Sequence, residues 1–148
     1  MLPIEIDLMT LSDVDLLTNC LATNFDNFWT IQNLKSEIEN SNSKCFVAKY
    51  ENKIVGFAGI WFSYDDVHLM NIVTHKNFRN RGIAKKLLEH IISNVNEKPL
   101  TLEVKSSNTA AINLYEIFGF EKVGIRKNYY THNNKTEDGI IMTRMIKR

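Results

Sequence analysis

A basic loop from Arg79 to Ala84 has the residue types that bind a phosphate. Arg79 and Arg81 can donate charge-assisted hydrogen bonds, and Gly82 lets the backbone come close to a ligand. An apolar helical pattern begins directly after Gly82, and the N-terminus of a helix offers unpaired N–H groups to an anion. The same residues would equally form a plain basic loop before a helix, so their spacing alone favours neither interpretation.

Glu103 is a candidate proton acceptor. It lies in the segment Leu100–Lys105, whose apolar residues alternate with polar ones and therefore take one face of a strand. Glu103 takes the other face, where a carboxylate can accept a proton from an amine directly or through water. Alternation alone favours an ordinary solvated glutamate paired with a lysine.

Tyr115 is a candidate proton donor. A phenol has a pKa of about 10 and a thiol of about 8.5, so a tyrosine can protonate a thiolate at a cost of about 1.5 pK units. Tyr115 also lies at helical spacing with Leu114 and Phe118, which alone favours a packed core residue. Asn108, before the same helix, is suited to cap it, and this role is compatible with ligand binding.

Two segments resemble motifs of the GNAT family of N-acetyltransferases. Arg79-x-x-Gly82-x-Ala84 is similar to the pyrophosphate loop of that family, (Q/R)-x-x-G-x-(G/A). The run from Asn108 to Phe120 is similar to its N-x-x-A-x-x-L-Y-x-x-x-G-F block. The motifs occur in the order typical of the family, with the expected strand between them. The resemblance implies acetyl-CoA as the cosubstrate and no metal.

The resemblance also implies which residues bind acetyl-CoA. A backbone N–H near Ile72 or Val73 would receive the thioester oxyanion, and the pantetheine amides would add to that strand as a further strand does. Asn108 would contact the pantetheine or a phosphate. The implied acetyl-CoA-binding residues are Asn71, Ile72, Val73, Arg79, Asn80, Arg81, Gly82, Ile83, Ala84 and Asn108.

Further segments look like the RimI-type ribosomal-protein-alanine N-acetyltransferases. They cover somewhat over half of the chain and comprise Leu69–Val73, Leu87–His90, Leu102–Val104, Arg126-x-x-Tyr129-Tyr130 and Glu137–Met142. The resemblance implies acetylation of a protein N-terminal α-amine, typically that of alanine on a small-subunit ribosomal protein. It also implies that Glu103 is the proton acceptor and Tyr115 the proton donor.

The acceptor amine and its entrance are less closely specified. An α-amine has a pKa of about 7.7–8.0 and lysine about 10.4, a difference of about 3.4 kcal/mol in deprotonation, so a modest base suffices for the former. The subfamily tends to have F-P-W between its first two helices, where this chain has Asn27-Phe28-Trp29. That loop lines the peptide entrance in relatives, so the difference bears on the acceptor. Phe25, Phe28 and Trp29 would either cap the core or line the peptide groove.

The elements that must position these residues form an α+β domain. The resemblance implies the GNAT fold, with a mixed, mostly antiparallel sheet of six to seven strands and about four helices, in a single domain over residues 1–148. The patterns predict strands at Leu2–Asp7, Cys45–Tyr50, Ile54–Phe62, Val67–Thr74, Leu100–Val104, Glu121–Arg126 and Gly139–Ile146. They predict helices from a Thr10 cap to Leu21, over Thr30–Asn40, over Ile83–Val95, and from a Ser107 or Asn108 cap to Phe118.

Composition excludes several other classes. The 148 residues carry 18 Lys and Arg against 17 Asp and Glu, so the net charge of +1 gives no field to attract nucleic acid or a membrane. The longest apolar stretch, Gly56–Phe62, is too short to cross a bilayer. Cys20 and Cys45 lack metal-site spacing and are expected to stay reduced, with Cys45 a core thiol. Acids at the N-terminus argue against a signal peptide, so a cytoplasmic location is expected.

Three functions remain open. The leading one is transfer of an acetyl group from acetyl-CoA directly to a protein α-amine. A small-molecule amine or lysine acetyltransferase on the same fold is the second, and a CoA-binding sensor without turnover is the third. Tyr129 and Tyr130, before a polar loop at Thr131–Lys135, would either bind a peptide backbone or shield the last strands.

Overall fold

The computed structural model describes residues 3–17, 31–95 and 98–145. These residues contain seven strands and four α-helices. The strands are β1 (Glu5–Leu8), β2 (Ser43–Tyr50), β3 (Lys53–Phe62), β4 (Val67–Thr74), β5 (Leu100–Lys105), β6 (Glu121–His132) and β7 (Lys135–Arg144). The helices are α1 (Leu11–Leu17), α2 (Ile31–Glu39), α3 (Ile83–Asn94) and α4 (Thr109–Ile117), with a short 3-10 helix at Lys76–Phe78. Their order along the chain confirms the predicted one.

The strands form one mixed sheet in the order β1-β2-β3-β4-β5-β7-β6. β4 and β5 are parallel, with Leu69 opposite Leu102, and the chain joins them through α3, as a parallel pair requires. β2 is antiparallel to β1 and β3, and β7 is antiparallel to β5 and β6. The prediction of an α+β fold with a mostly antiparallel sheet is therefore confirmed.

Internal contacts divide the chain into two units. The first comprises Met1–Phe62 and Met70–Asn94, and the second comprises Ser63–Leu69 and Val95–Arg148. The loop with Arg79 and Gly82 belongs to the first unit. Glu103, Asn108 and Tyr115 belong to the second.

The core of the first unit holds helix α3. Its residues Ile83, Leu87, Leu88 and Ile91 are buried, which confirms the predicted apolar stripe. Burying a side chain of this size stabilises a fold by about 1.5–3 kcal/mol. Because Ile83 is the first residue of the helix, this packing fixes the N-terminus that follows Gly82.

Helix α1 begins with the predicted Thr10 cap. The Asp13 N–H donates to Thr10 Oγ1 at 3.3 Å, and the Thr10 N–H donates to Asp13 Oδ2 at 2.9 Å. The buried Asp13 carboxylate also pairs with Lys49 Nζ at 2.9 Å. Burial by itself would raise the pKa of Asp13, but the hydrogen bonds from Lys49 and Thr10 lower it overall.

Alternation along β5 in the second unit follows the sequence pattern. Leu100, Leu102 and Val104 are buried. Thr101, Glu103 and Lys105 are half-buried on the opposite face. Across the sheet, Glu103 lies opposite Ile141 of β7.

The predicted ends of the last two strands are wrong. β6 was expected to end at Arg126 and β7 to begin at Gly139, but the two strands pair as far as His132 and Lys135. Asn133 and Asn134 have φ values of 51° and 64° and form the two-residue turn between them, which asparagine favours in this left-handed region. The expected polar loop at Thr131–Lys135 is therefore mostly a hairpin end.

Candidate active site

The basic loop of the first unit turns sharply into helix α3. Asn80 and Gly82 have φ values of 63° and 80°, and Lys86 N–H donates to the Gly82 carbonyl at 3.0 Å as the first hydrogen bond of the helix. Backbone N–H groups before this bond have no partner within the helix. The turn therefore presents the helix N-terminus that the sequence predicted.

Gly82 has open space where a side chain would be. A Cβ atom built on it would have no atom within 4 Å. Arg79, Asn80 and Arg81 are exposed beside it, and Ala84 adds only a methyl group one residue after Ile83. This opening would allow a phosphate group to approach the backbone.

Phe78 supports the cationic side chains around the loop. The guanidinium carbon of Arg81 lies 5.5 Å from the centre of the Phe78 ring, and Lys53 Nζ lies at the same distance from it. His75 packs its ring edge-on at 5.4 Å and caps the 3-10 helix, because its Nδ1 accepts from Asn77 N–H at 3.1 Å. Burial lowers the pKa of His75, which favours the neutral ring needed for this acceptor role.

The β4 residues implied in acetyl-CoA binding also lie in the first unit. Asn71, Ile72 and Val73 are half-buried within the strand, and Val73 packs against the buried cluster that includes Met9 and Phe57. This packing fixes Val73 against the core of the first unit. The oxyanion-binding N–H near Ile72 or Val73 remains a prediction.

Glu103 of the second unit pairs with Arg126 rather than with a lysine. Arg126 Nε lies 3.1 Å from Glu103 Oε1. The other oxygen, Oε2, is buried and has no hydrogen-bond partner in the described part of the chain. The Glu103 side chain is 25% exposed, so it is largely shielded from water.

Tyr130 lies beside this carboxylate. Gly139 of β7 makes room for it, because a Cβ atom there would lie 3.2 Å from the Tyr130 ring. Lys105 Nζ lies 5.7 Å from the ring centre, and Tyr129 packs edge-on at 5.0 Å. Burial, and then the negative charge of Glu103, raises the pKa of Tyr130.

Tyr115 is 6% exposed and packs against Phe120, with ring centres 5.6 Å apart. Burial, with a smaller contribution from Tyr130, raises its pKa to about 12. The phenol is therefore protonated throughout the neutral range, as a general acid must be. Tyr115 is therefore packed as its helical spacing predicted. Its role as a proton donor stays a prediction.

Asn108 caps helix α4, and this choice between the two predicted caps is confirmed. Its Oδ1 accepts from Ala111 N–H at 3.2 Å. The preceding turn is held by Glu137 of β7, whose carboxylate accepts from Ser107 N–H and from Ser106 Oγ. The hydrogen bonds from Ser107 lower the pKa of Glu137. Asn108 is exposed, so its amide is open to a ligand as well.

Several sequence expectations concern residues outside this site. Cys20, Phe25 and Asn27-Phe28-Trp29 lie outside the described residues. Cys45 is buried, and burial raises its thiol pKa to about 11, which fits a core residue rather than a nucleophile. In the described ranges, no three His, Cys, Asp or Glu residues are grouped as metal ligands. No described helix has the length and apolar composition to span a bilayer.

Sequence reasoning missed the Glu103–Arg126 pair and the space at Gly139. Counting faces by alternation places Arg126 and Tyr129 on opposite sides of β6. The strand instead shifts its register against β7 between Arg126 and Tyr130, and the Arg126 guanidinium lies 5.3 Å from the Tyr129 ring centre. The signal available in the sequence was Asn128, whose φ of 54° marks the irregularity.

Known proteins resemble both the sequence and the fold. Residues 14–120 match the model of the Acetyltransferase (GNAT) family. A putative ribosomal protein bS18-alanine N-acetyltransferase of Bacillus subtilis is 35% identical over 90% of each chain. The crystal structure of the ribosomal-protein-S18-alanine N-acetyltransferase from Escherichia coli has 30% identity and a TM-score of 0.87, covering 98% of this chain and 95% of the other. Arabidopsis thaliana NAA60, solved with acetyl-CoA, shares the fold at 18% identity and a TM-score of 0.78, covering 95% and 97%.

Proposed function

Because this chain belongs to the GNAT family of acetyltransferases, we propose that it transfers the acetyl group of acetyl-CoA to a protein N-terminal α-amine. The acceptor proposed is an N-terminal alanine on a small-subunit ribosomal protein. Similarity to the Bacillus subtilis relative along nine-tenths of both chains supports this acceptor. The observation that carries the chemistry is the half-buried Glu103 carboxylate, with its unpartnered Oε2. Residues 1–148 would form one domain for this reaction.

Acetyl-CoA would bind through two parts of the first unit. The open turn at Gly82, with Arg79 and Arg81 beside it, would hold the pyrophosphate. The backbone of Asn71–Val73 would pair with the pantetheine amides as a further strand does. Asn108 of the second unit would also contact acetyl-CoA through its exposed amide, while its side chain continues to cap helix α4.

Glu103 would accept a proton from the acceptor amine. At pH 7 an α-amine with a pKa of about 7.7–8.0 needs only about 1 kcal/mol to become neutral, whereas lysine with about 10.4 needs about 4.6 kcal/mol. One shielded carboxylate, acting directly or through water, is adequate for the first case. The neutral nitrogen then attacks the thioester carbon, so that the N–C bond forms and the C–S bond breaks.

Tyr115 would protonate the leaving thiolate. Its pKa of about 12 lies about 3.5 units above that of a thiol, so complete transfer in the resting site is uphill by about 5 kcal/mol. Donation therefore has to accompany C–S cleavage, while negative charge develops on sulfur. Of the two protons that the ammonium loses, one replaces the proton of Tyr115 and the other passes to solvent through Glu103.

Two acetyl acceptors test the proposed function against its alternatives. The purified chain is incubated with acetyl-CoA and either a peptide with a free N-terminal alanine or a peptide with a blocked N-terminus and an internal lysine. Mass spectrometry is expected to show acetylation of the first peptide alone. Acetylation of lysine would move the acceptor to side-chain or small-molecule amines. Binding of acetyl-CoA without acetylation of any amine would instead support the sensor.

A further inference from the structure

We propose that Arg126 is a positioning residue for Glu103, and that by holding Oε1 it fixes the orientation in which the carboxylate accepts the amine proton. This inference rests on the proposed function of Glu103 as the base. Arg126 itself would touch neither acetyl-CoA nor the acceptor.

The pair spans a strand that lies between its two members. Glu103 is on β5 and Arg126 is on β6, with β7 in the middle of the three. Two strand spacings amount to about 9.6 Å, so only long side chains that lean across β7 can meet. Arg126 lies opposite Gly139, whose missing side chain leaves room for the rings of Tyr129 and Tyr130.

A backbone irregularity directs Arg126 toward Glu103. Between Arg126 and Tyr130, β6 carries two more residues than the facing part of β7. Asn128 occupies this irregularity with a positive φ, and its N–H donates to Asp138 Oδ1 at 2.9 Å. As a result, Arg126 and the two tyrosines come together. The Arg126 guanidinium lies 5.3 Å from the Tyr129 ring centre, which restricts its orientation.

The two oxygens of Glu103 have different surroundings. Oε1 accepts from Arg126, whereas Oε2 is buried without a donor in the described residues. A buried acceptor without a partner is unfavourable in proteins. Within the described residues, the contact with Arg126 is therefore the one that orients this carboxylate.

The ion pair is poorly suited to a purely structural role. Arg126 is 54% exposed, and ion pairs at the protein surface contribute little to stability. Removal of the guanidinium should thus leave the fold intact while freeing the carboxylate to rotate. Loss of the Arg126 guanidinium should therefore change the reaction rate more than it changes folding stability.

The test is a double-mutant cycle on the full chain with the N-terminal alanine peptide. Arg126→Ala is expected to lower kcat about tenfold or more, with the KM for acetyl-CoA unchanged. In a Glu103→Gln background, the same substitution is expected to change kcat by less than about twofold, because Arg126 then has no carboxylate to hold. Arg126→Lys, which keeps the charge without the fork, is expected to retain part of the rate.

Chemical rescue provides a second readout that a structural role would not give. Millimolar guanidinium chloride is expected to restore part of the rate of Arg126→Ala, whereas sodium chloride at equal ionic strength is not. Lys122→Gln, an exposed substitution on the same strand, serves as the matched control and is expected to have the normal rate without either salt. Thermal unfolding of every variant checks that the fold is intact.

Different results would overturn the role of Glu103 and the role of Arg126. A normal rate for Glu103→Gln would remove the base from the proposed function and this inference with it. An impaired Glu103→Gln with a normal Arg126→Ala would overturn the role of Arg126 alone. A rate loss from Arg126→Ala that persists fully in the Glu103→Gln background, or the absence of guanidinium rescue, would also overturn it.

Discussion

Gly56 of β3 and Ile83 of α3 approach so closely that a Cβ atom on residue 56 would lie 2.7 Å from Ile83 Cγ2. The same atom would lie 3.1 Å from Leu87 Cδ1. Since Ile83 directly follows Gly82, the absence of a side chain on β3 determines where the basic loop enters its helix. Gly56 thereby sets the position of the candidate phosphate site.

Gly56→Ala should therefore displace the start of α3. Overpacking of this kind costs about 1–3 kcal/mol, so the melting temperature should fall and the KM for acetyl-CoA should rise together. Calorimetry and steady-state kinetics measure the two effects. Gly124→Ala is the matched control, because its Cβ atom would lie at an ordinary 3.4 Å from Ile141 Cδ1. Equal effects of the two substitutions would contradict the packing argument.

Gly82→Ala and Gly119→Ala separate backbone strain from ligand binding. Both glycines have positive φ, 80° and 93°, and neither has an atom within 4 Å of its built Cβ position. Each substitution should thus destabilise the fold by a similar amount, about 1 kcal/mol. Only Gly82→Ala should raise the KM for acetyl-CoA, since its methyl group would occupy the opening beside the loop. An unchanged KM for Gly82→Ala would remove that opening from the binding site.

Asn108 allows its capping role to be tested apart from ligand binding. Asn108→Ala should destabilise the protein by about 1 kcal/mol, because Ala111 N–H loses its acceptor. Asn108→Ser should largely restore stability, since serine also caps helices well. If the amide also contacts acetyl-CoA, both variants should show a raised KM. A KM that recovers with stability in Asn108→Ser would leave Asn108 with the cap alone.

Sequence patterns predicted the parts of the site that depend on regular periodicity. The buried stripe of α3, the outward face of Glu103 and the Asn108 cap each follow from spacing within one element. The Glu103–Arg126 pair does not, because it joins two strands across a third and depends on the irregularity at Asn128. The proximity of Gly56 and Ile83 was missed for a related reason: periodicity identifies a buried face but does not say which residue of a neighbouring element meets it.

The raised pKa of Tyr115 gives two expectations about alkaline pH. A phenol with a pKa of about 12 keeps its proton well above the usual value of about 10, so Tyr115 should cause no loss of kcat/KM between pH 8 and about 10. Tyr115→Phe should reduce kcat by about 10²-fold across this range if the phenol is the general acid. A rate close to that of the unsubstituted chain would return Tyr115 to a packing role.

The same group should also make folding stability depend on pH. Its pKa is higher in the folded state than in the unfolded state, so its contribution is complete below about pH 10 and is lost as pH rises through about 12. The difference in unfolding free energy between the unsubstituted chain and Tyr115→Phe should therefore shrink over that interval. Denaturant titrations at several alkaline pH values measure this difference, and Tyr129→Phe, an exposed tyrosine, is the control. If the difference is constant with pH, the phenol titrates alike in both states, and burial does not hold its proton as argued.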